Sequence, residues 1–199
     1  EGPGRHQELA RRLFADMLRR PVWNCVLWPE TLELSAAHTA AVAGLLYDWL
    51  YPVLPDAERQ LAQSVLLQRV LQHGEHLEDF WWSSRYGCNW CAVCVGSVGV
   101  ATLALYPELL ARGDRRPDAV LADVCRRLAR FLDAFGPDGD WAEGPMYADY
   151  GLYHVCLFAD ALAAAAAPRS PVLDWFEERR QRIPFGRFFT GTFLPPEGL

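Results

Sequence analysis

The sequence predicts an all-α fold, and three observations lead there. Apolar residues recur at helical spacing along most of the chain, while strand-like alternation is nearly absent. The helical segments are of two kinds, one with a single apolar face and one apolar nearly all round. The two kinds alternate along the chain. A helix that is apolar all round must be enclosed, so alternation implies inner helices surrounded by outer ones. An up-and-down bundle would make every helix amphipathic in the same way. The expected architecture is therefore an incomplete (α/α) toroid of about three to four helical hairpins, with inner apolar and outer amphipathic helices.

Residues 5–20 carry Leu9, Leu13, Phe14, Met17 and Leu18 on one face, and Pro21 stops the helix. Residues 21–34 are irregular. Ser35 reads as the N-cap of a helix running to about Tyr51, rich in Ala36, Ala37, Ala40, Ala41, Val42, Leu45, Leu46 and Trp49, before Pro52 and Pro55. Residues 56–72 are amphipathic again and end at Gly74. The segment 75–88, a short helix or loop, holds the aromatic run Phe80-Trp81-Trp82. Residues 89–106 form the most apolar helix. Gly96 and Gly99 inside it cost about 1 kcal/mol each, which points to close packing or substrate approach. Pro107, Gly113 and Pro117 bracket a turn, and residues 118–135 are amphipathic. A loop covers 136–147, a further apolar helix 150–167, and a charged outer helix 170–182. All of 1–199 reads as one toroid domain or a fragment of one. Its Phe-, Gly- and Pro-rich end, 183–199, is an irregular tail placed to dock on the arc or to lead into a C-terminal domain.

A net charge of −6 and a pI near 5.4 argue against a nucleic-acid partner. No apolar run reaches the roughly 18 residues of a membrane span without polar interruption, so no membrane partner is expected. The sequence starts without Met or a signal-peptide pattern, which fits a trimmed chain. Six unevenly spaced cysteines fit free thiols in a reducing compartment better than a disulfide scaffold. This favours the cytoplasm slightly.

Three stretches carry chemistry. Cys88, Cys91 and Cys94 have a C-x-x-C-x-x-C spacing, but on a helix these positions drift around the surface, and a metal cluster needs a fourth ligand and a wrapping loop. Packing is the better account, and no metal is expected. Asp138, Asp140 and Glu143 in one loop suggest a paired-carboxylate glycoside hydrolase, against a plain acidic turn built on Gly139. His154 lies one helical turn beyond Tyr150 and two beyond Tyr147, in position to line a cavity on an inner helix. His73 and His76 read as a surface pair near a helix end.

Several segments, in order and with matching spacing, resemble the α-helical domain of the heparinase II/III-like polysaccharide lyases. They are Gly44-Leu45-Leu46-Tyr47-Asp48-Trp49-Leu50 with Leu54-Pro55-Asp56-Ala57-Glu58-Arg59, Asn89-Trp90 opening the glycine-containing apolar helix, and the stretch from Pro137 through Asp138-Gly139-Asp140-Trp141-Ala142-Glu143-Gly144-Pro145-Met146 to Tyr147. The resemblance covers roughly 35–165. It implies an α/α toroid followed by a β-sandwich domain, and β-elimination next to a uronic acid in an acidic polysaccharide or oligosaccharide. The implied chemistry uses no cofactor.

By the same resemblance, Asn89 neutralises the substrate carboxylate and Tyr147 is the catalytic acid and base. Trp82, Trp90 and Trp141 are sugar-stacking walls, and Glu143, Tyr150 and His154 are substrate-binding residues. Cys88 stands where many members carry a second polar residue. Members often draw a catalytic His from the β-sandwich domain, so this chain alone is expected to be inactive. A periplasmic or secreted location is also compatible. A non-catalytic glycan-binding or scaffolding domain, and an α/α hydrolase using the acids of 138–143, are the alternatives.

Overall fold

A computed structural model describes residues 3–24 and 31–165, with Asp174 and Glu178 as isolated positions. The expected helix 170–182 and tail 183–199 lie outside the described residues. Among the described residues the protein is all-α, with no strand. Helix α1 spans Pro3–Arg19 and α2 spans Leu34–Leu50. After a 3-10 turn at Tyr51–Val53, α3 (Asp56–Leu66) runs through a π-helical segment, Leu67–Leu71, into the short α4, Gln72–Gly74. The long α5 is Asn89–Ala111, α6 is Arg116–Asp133 and α7 is Pro145–Ala164.

Side-chain contacts fix the direction of each helix. Gly44 of α2 meets Ala101 of α5, and three residues further on the Tyr47 hydroxyl donates to Glu108 Oε1 at 2.9 Å. On the other side, Asn89 meets Glu143, Gly96 meets His154, and Gly99 meets Phe158. Position advances together in both pairs, so α2, α5 and α7 are parallel. Helix α6 runs against α5: Tyr106 pairs with Asp118, and Gly99 faces Val124. The α3–α4 rod does the same, since Gln63 meets Arg112 while Gly74 meets Val98. Helix α1 follows α3 in direction, with Arg11 on Glu58 and Arg69 reaching Pro21 just beyond α1. The result is an inner layer of three parallel helices backed by an outer layer running the opposite way.

Helix α5 is the core of the inner layer. Every residue from Cys91 to Leu103 is buried, because α2, α6 and α7 pack around it. By length and composition alone α5 could cross a membrane, but most of it is buried inside the fold. Cys91, Cys94 and Cys125 are fully buried among these contacts, and burial pushes the Cys91 thiol up to about 12. The glycines of α5 serve close packing. A Cβ on Gly96 would lie 2.8 Å from the His154 backbone oxygen, and one on Gly99 would lie 2.4 Å from the Phe158 ring.

Three boundaries differ from the sequence reading. The N-cap of α2 is Glu33, not Ser35: its Oε1 accepts from the backbone N–H of Ser35 and Ala36 at 3.1 and 3.3 Å. The carboxylate satisfies orphan donors earlier in the chain than a Ser35 hydroxyl could, and its charge sits favourably at the positive end of the helix dipole. Helix α5 continues through Pro107 to Ala111. The proline sits exposed near its end and removes only one intrahelical bond, while Arg112 N closes the helix onto Glu108 and Leu109. Helix α7 begins five residues earlier than expected, with Pro145 in its first turn after Gly144 at φ 84°. Proline is well suited to a helix start, where its missing N–H is no loss.

A buried polar network ties the far end of the inner layer to α3. Gln63 Nε2 donates to the Tyr47 hydroxyl at 2.8 Å, Tyr47 donates to Glu108, and Arg112 donates to Gln63 Oε1 at 2.7 Å. Tyr47 is fully buried and its pKa is raised by that burial.

Candidate functional site

Because α2, α5 and α7 are parallel, their N-termini lie at one end of the inner layer. There α2 and α7 reach each other across α5. His38 of α2 meets Tyr150 and His154 of α7, with ring centroids 4.9–5.5 Å apart. His154 is almost fully buried, while His38 and Tyr150 are partly buried. Gly96 makes this possible by letting the α7 backbone at His154 lie directly on α5.

The protons in this cluster can be placed by elimination. His154 Nδ1 lies 3.0 Å from the Tyr150 carbonyl oxygen, which can only accept, so Nδ1 carries the proton. Burial lowers the pKa of His154 and of His38, so both rings are neutral at pH 7. Neutral His154 then has a lone pair on Nε2. His38 Nδ1, 3.3 Å away, donates to it. His38 Nε2 is therefore an acceptor, and it takes the hydrogen bond of the Tyr150 hydroxyl. The chain Tyr150 O–H to His38 to His154 to a backbone carbonyl is one directed relay. It has the logic of a nucleophile–base–orienter triad, with a phenol in the first place. Burial raises the pKa of Tyr150 as it lowers that of His38, so the resting pair is a neutral phenol bonded to a neutral imidazole.

These depressed histidines make stability pH-dependent. Near pH 6.5 the unfolded chain binds more protons on His38 and His154 than the folded one, so stability rises with pH through that region. His73, edge-on to Phe80 and also lowered by burial, adds to the effect. The melting temperature should be level above about pH 7 and fall as pH drops below about 6.5, before carboxylates titrate. Calorimetric scans of the wild type and of His38→Gln check this. The variant should show the shallower fall, and equal slopes would contradict the assignment.

The other expected site residues divide. Asn89 and Glu143 come together: the Asn89 backbone N–H and Nδ2 both donate to Glu143 Oε2, at 2.7 and 2.8 Å. This clamps the start of α5 to the loop before α7, with a carboxylate at the positive end of the helix dipole. Asn89 is 4% exposed, and its amide is held by Glu143 rather than shared with Tyr147, which stands half-exposed in the first turn of α7. Glu143→Ala leaves the buried Asn89 donors without an acceptor and should cost about 1–3 kcal/mol. Urea midpoints would measure it, and a change below about 0.5 kcal/mol, the scale of ordinary surface substitutions, would contradict the clamp.

Trp82 and Trp141 are corrected. Trp82 is 1% exposed, stacks on Phe80 and donates its indole N–H to the Leu32 carbonyl. Trp141 is buried against Phe131 and Phe135. Neither face is open to a sugar. The accessible indole of the aromatic run is Trp81, 61% exposed, with its centroid 5.2 Å from that of the half-buried Trp90. The two rings are tilted by 44° to each other. Tyr147, Tyr150 and His154 fall on one stripe of α7, so Tyr147 stands one turn above the relay.

Comparison with protein-family models and with curated proteins gives no match to this chain. The site therefore stands on its own geometry. Its unanticipated members are His38 and Trp81. The signal for His38 was present: it is the sole histidine in an otherwise Ala- and Leu-rich inner helix, as His154 is in α7.

Among the described residues no group of three or more His, Cys, Asp or Glu is arranged to hold a metal ion. The arrangement offers instead a partly exposed phenol hydrogen-bonded to a pair of neutral imidazoles where α2 and α7 meet over α5. That is the equipment of proton transfer at carbon or oxygen.

Proposed function

We propose that the chain is the helical part of a lyase that cleaves uronic-acid-containing glycans by β-elimination, its two helical layers forming an arc of an α/α toroid. The observation that carries this reading is the Tyr150–His38–His154 relay spanning two inner helices. The resemblance to heparinase II/III-like lyases supplies the substrate class.

In the reaction, Tyr150 passes its proton to His38, whose Nδ1–H remains bonded to His154. The Tyr150 phenolate removes the C5 proton of the uronate. The C5–H electron pair forms the C4=C5 bond and the C4–O4 bond breaks. Tyr150 returns the proton to O4, and His38 restores the phenol. The uronate carboxylate must be neutralised for C5 to become acidic. The first turn of α7 fits that task, since no side chain caps it and its backbone N–H groups end a parallel helix dipole. Asn89 supports this end of the site through the Glu143 clamp. Tyr147 contacts the sugar, and the exposed Trp81, backed by Trp90, offers it a stacking surface.

The hydrolase alternative is weakened because Glu143 Oε2 already accepts two bonds from Asn89. The test is to incubate the full-length protein with a panel of uronic polymers and follow the ultraviolet absorbance of a 4,5-unsaturated uronate. Unsaturated ends support the proposal. Reducing ends without unsaturation would establish hydrolysis, and sugar binding without any product would establish a binding domain.

A further inference from the structure

Toward the C-terminal ends of the inner helices, Leu45 and Trp49 follow His38 at helical spacing on α2, and Ala161 and Ala165 follow Tyr150 and His154 on α7. There a pocket of about 220 Å³ opens between α2, α5 and α7. Its floor is low because Gly44, Ala104, Ala161 and Ala164 contribute almost no side chain. One wall is Trp49, and beside it stands Asp48, both exposed. An indole on an inner helix is expected to be enclosed, yet Trp49 is 68% exposed.

We infer that this pocket is a distal subsite for an uncharged sugar ring of the same glycan whose uronate lies at the relay. An indole face packs on the apolar C–H face of a pyranose. A carboxylate next to it accepts sugar hydroxyls in strong charge-assisted bonds. The same carboxylate repels a second carboxylate, so a uronate is disfavoured here. Asp48 lies ten residues beyond His38 on α2, a rise of about 15 Å. The ligand is therefore an oligosaccharide long enough to reach both places, with a neutral sugar at the far one. This rests on reading the relay as a glycan site, and it narrows the substrate from polyuronates to mixed polymers.

The experiment is calorimetric titration of the Tyr150→Phe chain, which binds without turnover, with three hexasaccharides: a hyaluronan fragment alternating uronate and neutral sugar, an oligogalacturonate, and a neutral cello-oligosaccharide. The alternating probe should bind more tightly than the polyuronate. Trp49→Ala should weaken the alternating and neutral probes about tenfold. Asp48→Asn should strengthen the polyuronate. Because Trp49 is exposed, its replacement leaves the fold intact. Unchanged affinity of the alternating probe in Trp49→Ala, binding of none of the probes, or a Trp49-dependent dimer in sedimentation would overturn the inference. Trp49-dependent binding together with no unsaturated product from the wild-type full-length protein would sink the lyase reading and leave the subsite standing. Turnover that ignores Trp49 would do the reverse.

Discussion

Tyr150→Phe should lower kcat for elimination by about 10²–10⁴-fold, the range that a positioned acid or base supplies. KM should change little, because the ring remains and only the hydroxyl is lost. Tyr147→Phe, one turn away and half-exposed, should act mainly on KM. His38→Gln removes the proton acceptor and should lower kcat by a similar order. It should also abolish the acid limb of the pH–rate profile, which in the wild type reflects protonation of His38. Burial places that limb below the ordinary histidine value. His154 touches no substrate in this scheme and is a positioning residue. His154→Asn should therefore shift the acid limb and lower kcat, with KM held. Steady-state kinetics of these variants on one confirmed polymer would decide. Full activity in Tyr150→Phe with loss in Tyr147→Phe would move the acid and base to Tyr147.

Gly99→Ala should destabilise the protein by about 2 kcal/mol, the largest structural effect anticipated for a single methyl. Two terms compete. Replacing a mid-helix glycine by alanine gains about 1 kcal/mol of helix propensity. Against this, the new Cβ would sit 2.4 Å from Phe158 Cδ2 and 2.9 Å from Val124 Cγ1. Phe158 and Val124 are both fully buried, so the ring has no free volume to enter. Overpacking of this kind costs about 1–3 kcal/mol, and here the upper end applies because the contact is with a ring inside a three-helix junction. Trimming the partner in Gly99→Ala/Phe158→Leu should recover part of the loss. Urea unfolding measures both variants. A Gly99→Ala protein more stable than the wild type would mean that propensity wins and that α5 and α7 are not in close contact.

Much of the layout was legible in the sequence because helical periodicity is a local property. The alternation of one-faced and all-round apolar helices anticipated α2, α5 and α7 as the inner layer. Gly96 and Gly99 point to close packing or substrate approach, and of these the structure shows close packing. What the sequence hid was the direction in which individual side chains turn. Trp81 and Trp82 are neighbours, and composition does not say which indole turns inward; the Leu32 carbonyl and Phe80 decide it for Trp82. Trp49 looked enclosed on an apolar helix and is not. Asn89 is expected to face substrate, and spacing gives no sign that Glu143, 54 residues away, accepts its amide N–H. His38 and Tyr150 are 112 residues apart, and only the parallel inner helices bring them together. Long-range pairings of this kind leave no trace in spacing.

The relay is tested most directly by long-range ¹H–¹⁵N correlation of the imidazole rings at neutral pH, in the wild type and in Tyr150→Phe. The geometry requires the proton on Nδ1 in both His38 and His154. It also requires a hydrogen-bonded Nε2 on His38 whose resonance shifts when the Tyr150 hydroxyl is removed. A His38 ring protonated on Nε2, or one indifferent to Tyr150→Phe, would contradict it.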